Sequence, residues 1–219
     1  MATDETAFVS RAHRATLLHG IYAIVNADAW ALSLADAALD GGVRILQYRA
    51  KAGIDATHLQ RLRERTRACG ALLIVNDDWR AVLAFDCDGV HLGPDDEGFA
   101  SLDRVRTALS DRLIGLSCGT VEEAQRANEA DADYLGVGAV YATASKADAG
   151  DPIGIAGLQQ VAAVSGYPVA AIGGIGAAQL DEVRASGVAM AAVISAIANA
   201  PDPRVAARSL VERWYAGRA

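Results

Sequence analysis

Residues 72–96 read LLIVNDDWRAVLAFDCDGVHLGPDD, and this stretch decides the fold. An apolar run, Leu72 to Val75, ends in Asn76-Asp77-Asp78. Apolar residues at helical spacing follow from Trp79 to Phe85, and the acidic turn Asp86-Cys87-Asp88 leads through Gly89 into a second short apolar run, Gly89 to His91. Strand, helix, strand in so few residues is a βαβ unit, whose two strands must run parallel because the helix returns the chain to its starting edge. The carboxylates fall where the strands end, at Asp77 after the first and at Asp95-Asp96 after the second.

The same unit recurs on both sides. Strands are predicted at Ile21 to Val25, Arg44 to Tyr48, Leu72 to Val75, Gly89 to His91, Leu113 to Ser117, Tyr134 to Val137, Val169 to Ile172 and Met190 to Ile194. Helical spacing is found at Ala31 to Asp40, Ala56 to Cys69, Trp79 to Phe85, Ser101 to Leu109, Val121 to Glu129, Ile155 to Val164, Ala177 to Ser186 and Pro203 to Tyr215. The strands are continuous apolar runs, as expected when helices cover one face and a packed interior the other. Repeats of about 25 residues, eight in number, predict an α/β fold: a single (β/α)8 TIM barrel spanning 1–219, with an extra N-terminal helix in the extension 1–19. Two turns, Asp86-Cys87-Asp88-Gly89-Val90 and Asp131-Ala132-Asp133-Tyr134-Leu135, resemble each other and hint at internal repetition.

Composition narrows the function classes. The formal net charge of -7 repels nucleic acid and anionic lipid, which are bound through dense Lys and Arg patches. Residues 1–18 lack the continuous apolar stretch of a signal peptide, and no run of eighteen apolar residues occurs, so neither secretion nor a membrane span is expected. Cys69, Cys87 and Cys118 are too scattered for a disulfide framework or a zinc site and read as reduced, semi-buried small hydrophobes of a cytoplasmic protein. The sequence leaves oligomeric state open, a homo-oligomer included.

Barrel chemistry belongs at the C-terminal strand ends, and the unusual polar residues cluster there. Gln47, Arg49 and Lys51 alternate at period two, so an extended backbone aims an amide and two cations the same way, which suits a diphosphate and equally suits a solvated edge. Asp77 and Asp96, at the ends of adjacent strands, suit one hard cation with positions left for water and phosphate; Asp78 and Asp95 read as caps. Ser117 offers a donor, Thr120 with Glu123 has capping-box spacing, and Cys118 has no neighbouring base to make it a nucleophile. The long loop 138–154 carries Thr143, Ser145 and a third cation, Lys146, and its length marks either a lid or disorder. Glycines 173, 174 and 176 after the seventh strand, with Ser195 after the eighth, fit the phosphate site that barrels build from backbone N–H groups.

Taken jointly, Gln47-Tyr48-Arg49-Ala50-Lys51, Val75-Asn76-Asp77, Asp88-Gly89-Val90-His91-Leu92-Gly93, Gly115-Leu116-Ser117, Gly136-Val137-Gly138 leading to Thr143 through Lys146, and Ala171-Ile172-Gly173-Gly174-Ile175 resemble the thiamine phosphate synthase family from about Ile21 to the last helix. The resemblance implies an enzyme acting on small phosphorylated molecules. Gln47, Arg49, Lys51, Asn76, Ser117 and Lys146 would hold an aminopyrimidine diphosphate, with Lys146, Arg49, Lys51 and Ser117 catalytic. Asp77 and Asp96 would carry Mg²⁺, and Thr143, Ser145, Gly174, Ile194 and Ser195 a thiazole phosphate. It implies a dissociative reaction, in which diphosphate leaves first and the thiazole nitrogen captures a pyrimidine methylene cation.

The chain departs from the family where prolines commonly flank the threonines of the strand-six loop: Ala142 and Ala144 stand there, with Ser145 for the second threonine. Three rival readings remain at this point. A thiazole tautomerase on the same barrel is associated with a histidine just after the strand-five serine, where Cys118-Gly119 stand. A Schiff-base aldolase would need Lys146 buried. A non-catalytic phosphate-binding barrel would have no use for Asp77, Asp96 and Lys146 together.

Overall fold

The computed structural model describes residues 10–143, 145 and 150–216. Eight parallel strands close into one barrel in sequential order: β1 (Gly20–Asn26), β2 (Ile45–Arg49), β3 (Leu72–Asn76), β4 (Gly89–Leu92), β5 (Leu113–Cys118), β6 (Tyr134–Val137), β7 (Val169–Ile172) and β8 (Met190–Val193). The helices that return the chain between them are α2 (Ala31–Asp40), α3 (Ala56–Ala68), α4 (Trp79–Ala84), α6 (Leu102–Ala108), α7 (Val121–Ala127), α8 (Gly154–Val164) and α9 (Leu180–Ala185), and α11 (Pro203–Tyr215) closes the ring. Among the described residues three short helices complete the fold: α1 (Arg11–Ala15) before the barrel, α5 (Glu97–Ala100) and α10 (Ser195–Ala198). Among the described residues, no helix is long and apolar enough to cross a membrane.

Every strand and barrel helix expected from the sequence is present, most with ends shifted by one or two residues. The larger difference is α9, which begins at Leu180 rather than Ala177. Gly176 N–H donates to the Gln179 side chain and Gln179 N–H to Gly176 O, so residues 176–179 form a turn that delays the helix. At α7 the Asn128 side chain ends the helix by donating to Val164 O and accepting from Gly166 N–H.

The continuous apolar runs divide by alternation into two cores. Leu46, Tyr48, Leu73, Val75, Val90, Leu92, Ile114, Leu116, Leu135 and Val137 face outward against the helices. Their alternates Tyr22, Ile24, Ile45, Leu72, Ile74, Leu113, Tyr134, Ala170, Met190 and Ala192 fill the barrel interior. Both faces are buried, which is why no polar alternation is visible in the sequence.

The two similar turns do the same structural work at the barrel floor. Asp88 accepts from Leu73 N–H at 2.9 Å and pairs with Arg14 at 3.0 Å and Arg63 at 2.7 Å. Asp133 accepts from Ile114 N–H at 2.8 Å and pairs with Arg11 at 2.6 Å and Arg106 at 2.8 Å. Each carboxylate therefore completes the start of one strand and receives one arginine from α1. Leu18, just after α1, joins the interior core, so the N-terminal helix closes the end of the barrel opposite the mouth.

Candidate active site

A cavity of about 590 Å³ opens at the C-terminal ends of the strands. It is lined by Gln47, Arg49, Lys51, Asn76, Asp77, Asp96, Ser117, Thr143, Ser145, Gly174, Ile194 and Ser195, which is every site residue named from the sequence except Lys146. Lys146 lies outside the described residues.

β2 brings in the first group. Gln47 and Arg49 point inward by alternation, Lys51 follows in the turn beyond the strand, and Arg49 Nη1 donates to Asn26 Oδ1 of β1 at 3.3 Å. β3 supplies the second. Asp77 has a positive φ of 67°, a left-handed conformation that aspartate tolerates better than most residues. The reversal separates two adjacent carboxylates: Asp77 lines the cavity, while Asp78 turns away and caps α4 by accepting from Arg80 and Ala81 N–H, both at 3.0 Å.

Asp96 approaches from β4's loop, where its carboxylate accepts from Gly93 N–H at 2.5 Å. At the start of α5, Asp96 holds the N-cap position and Asp95 lines the cavity. The cap expected at Asp95 is not formed, and the Asp96 side chain makes no cap bond to α5 either. The Asp77 and Asp96 carboxyl groups lie within hydrogen-bonding reach of each other. Burial first, then the bond and charge of Asp96, push the Asp77 pKa from 3.8 up to about 6, against the opposing pull of Lys51 and Arg49. Two carboxyls placed to share a proton are also a pair that could hold a hard cation in its place. Among the described residues there is no cluster of three or more His, Cys, Asp or Glu side chains able to hold a metal, so substrate and water would complete such a site.

Across the mouth, Thr120 and Glu123 form the expected capping box of α7. Cys118 is buried, and desolvation pushes its thiol up to about 11, which suits packing and not nucleophilic attack. Gly173 and Gly174 adopt φ of 100° and 64°, and a Cβ on Gly174 would stand 2.6 Å from Ala142 O, so the β7 turn and the β6 loop need glycine to pack together. The ends of that loop are pinned: Val140 N–H donates to Ile172 O, Ile153 N–H to Ala139 O, and Tyr141 Oη to Glu182 at 2.8 Å. Ser195 begins α10 beside Ile194 at the same rim.

Sequence reasoning gave no role to the polar residues deeper in the barrel. His91 of β4 stands 3.1 Å from Ser117 Oγ and 3.2 Å from Tyr134 Oη. Tyr134 in turn lies 2.9 Å from Tyr22 Oη, which accepts from Gln47 Nε2 at 2.7 Å. The one legible signal was the pair of tyrosines, each in an otherwise apolar strand.

A family model described as thiamine monophosphate synthase matches residues 21–197. Thiamine-phosphate synthase of Geobacillus kaustophilus (strain HTA426) is 44% identical over 201 residues, covering 88% of this chain and 89% of that protein. The enzyme of the same name from Archaeoglobus fulgidus is 47% identical over 184 residues, covering 82% and 84%. Thiamine phosphate pyrophosphorylase from Pyrococcus furiosus superposes with a TM-score of 0.79 at 34% identity, over 90% of this chain and 97% of that one. The matched segment begins inside β1 and ends inside α10, so it runs through all eight strands and every residue at the mouth, and the chain belongs to the thiamine monophosphate synthase family of enzymes.

Proposed function

We propose that this chain joins an aminopyrimidine-methyl diphosphate to a thiazole phosphate, releasing diphosphate and thiamine phosphate. One observation carries the reading: an acidic pair and two cations, distant in sequence, converge on a single mouth, with Lys51 and Arg49 close enough to act on the Asp77 charge. Such a cluster suits a leaving group that departs with several negative charges, and needs no side-chain nucleophile.

In this reading Arg49 and Lys51 receive the diphosphate, Arg49 being held by Asn26 so that its fork is already oriented. Lys146 adds a third cation by family resemblance. Asp77 and Asp96 hold Mg²⁺, which when bound supplies positive charge to the departing oxygens. The bond from the methylene carbon to the diphosphate oxygen breaks with its electron pair going to oxygen. The thiazole nitrogen then donates its pair to that carbon. Gln47, Asn76 and Ser117 orient the pyrimidine, and the Gly174 turn with Thr143, Ser145, Ile194 and Ser195 places the thiazole phosphate on the opposite rim. Preorganised charge of this kind contributes about 10²–10³-fold in rate per group removed. Incubation of the purified protein with both substrates and Mg²⁺ tests the reading. Thiamine phosphate should appear only when all three are supplied, and its absence from a folded, metal-loaded preparation would refute the assignment.

The raised Asp77 pKa gives a further expectation. The folded state holds this proton more tightly than an unfolded chain, whose aspartate titrates near 3.8. In metal-free protein the resulting stability is complete below about pH 4 and is lost as pH rises through about 6. A cation competes for the same carboxylates, so Mg²⁺ affinity should fall as pH drops below about 6. Calorimetric titration across that range checks this; an affinity that is flat from pH 7.5 to about 5 would show that Asp77 is not a ligand.

A further inference from the structure

The two carboxylates at the mouth are carried by helix starts that touch each other. Asp77 stands two residues before α4 and Asp96 directly before α5, and the first turns of those helices meet through Trp79 and Gly98. Trp79 is buried, and a Cβ on Gly98 would fall 3.2 Å from Trp79 Cδ1 and 2.9 Å from Leu92 Cδ2. α5 is therefore seated on the indole and on the last residue of β4 as closely as a residue without a side chain allows. A larger residue would lift α5 and carry Asp96 with it, since Phe99 and Ala100 N–H both bond back to Asp96 O. Asp77 would not follow, because its N–H donates to His91 O at 2.9 Å and ties it to the end of the β3–β4 ladder. The Asp96 carboxylate is thus placed by the bond from Gly93 N–H together with the seat of α5.

A second contact closes over the first. The Arg80 guanidinium lies 4.6 Å from the centre of the Trp79 ring and forks onto Glu97, with Nη2 donating to Oε1 at 2.8 Å and Nη1 to Oε2 at 3.3 Å. Arg104 of α6 approaches the same ring at 5.9 Å. The side chains of Arg80 and Glu97 are 52% and 70% exposed, and an ion pair so open to water adds little to global stability. What the fork supplies is geometry. It ties the second residue of α4 to the first of α5, and two parallel bonds fix orientation as well as distance. None of Trp79, Arg80, Glu97 and Gly98 lines the cavity, so all four act on it through the residues they hold.

We propose that Trp79, Gly98 and the Arg80–Glu97 fork are positioning residues that hold Asp77 and Asp96 at one separation and so favour Mg²⁺ over Ca²⁺. This inference rests on the reading of the two carboxylates as metal ligands and deepens it. The two cations make different demands: Mg²⁺ needs near-octahedral oxygens at about 2.0–2.1 Å, whereas Ca²⁺ accepts more oxygens, at about 2.3–2.6 Å, in flexible arrangements. A pair held at fixed spacing can meet the first demand, and a pair free to part serves the second better. Both ions carry the same charge, so a change in local charge moves their affinities together. A change in spacing moves their ratio.

The test is competition between metal ions in the absence of substrate. Mn²⁺ bound to the purified chain is followed through the electron paramagnetic resonance of the free ion and displaced with Mg²⁺ or with Ca²⁺. Gly98→Ala should weaken Mg²⁺ by about tenfold, the size typical when a group supporting a metal ligand is disturbed, and Ca²⁺ by less, so that the ratio of the two affinities falls. Arg80→Glu sets like charges against each other at the fork and should lower the ratio in the same direction. Combining Arg80→Glu with Glu97→Arg keeps the net charge of wild type and should return the ratio toward its value; this pair of variants serves if Gly98→Ala does not fold. An unchanged ratio in a folded Gly98→Ala or Arg80→Glu protein would overturn the inference, since a merely structural contact alters the melting temperature and leaves the ratio alone. Mn²⁺ binding that is missing from wild type, or that persists in Asp77→Ala, would instead remove the metal assignment itself, and the inference with it.

Discussion

Asp77→Ala should lower Mg²⁺-dependent turnover by about 10²–10³-fold or more, with the loss in kcat and the melting temperature unchanged or raised. The size of the effect follows from where the carboxylate sits. Asp77 is half-buried beside Asp96, and its pKa of about 6 means that the apo protein gains nothing from its charge. Removing it relieves the carboxylate repulsion but leaves alanine at the φ of 67°, a left-handed conformation that it tolerates less well than aspartate, so the two effects on folding oppose each other. Asp77→Asn keeps a side chain suited to that conformation and should lose activity with less perturbation of folding. The neighbouring Asp78 offers the contrast: its carboxylate caps α4, and Asp78→Ala should cost about 1 kcal/mol of stability and little activity. Unchanged kcat in Asp77→Ala at saturating Mg²⁺ would remove Asp77 from the chemistry.

Asp88→Ala should have the opposite signature, a large loss of stability with the mouth chemistry intact. The carboxylate is buried and satisfies three donors at once: Leu73 N–H, Arg14 and Arg63. Burial already pulls the Arg63 pKa down, with Asp88 as its nearest compensating charge. Deleting the acid leaves two guanidinium groups inside the floor without it, and breaking a buried pair in this way costs about 3–5 kcal/mol. For a chain of this size, at about 2–4 °C per kcal/mol, the melting temperature should fall by roughly 10 °C. Urea unfolding monitored by circular dichroism measures it; a shift within about 0.5 kcal/mol would place Asp88 among ordinary surface residues.

Much of this was legible in the sequence because local rules and global fold agree. The LLIV run at 72–75 and the acidic residues after it gave the strand, its end and the carboxylate at the mouth. Thr120 with Glu123 gave a helix start that the structure reproduces as a capping box. The convergence of Gln47, Arg49, Lys51, Asp77, Asp96 and Ser117 on one cavity follows once the barrel is known, since parallel strands end on one face.

What the sequence withheld depended on register. Tyr22 and Tyr134 occupy apolar strands buried on both faces, so nothing local says that they point inward or that their hydroxyls meet. The same holds for Gly115, whose reason for being glycine is a ring contributed by the next strand. The functions of Arg11 and Arg14 were equally hidden, because their partners Asp133 and Asp88 are brought to α1 only by barrel closure. The short helices α5 and α10 are too brief to show a period.

The most direct check is anomalous diffraction from crystals soaked with Mn²⁺ and the aminopyrimidine diphosphate. A metal peak bridging Asp77 and Asp96, with diphosphate oxygens against Arg49 and Lys51, is the expected result. Metal bound elsewhere, or a diphosphate lodged away from those two cations, would contradict the shared mouth on which the proposed condensation depends.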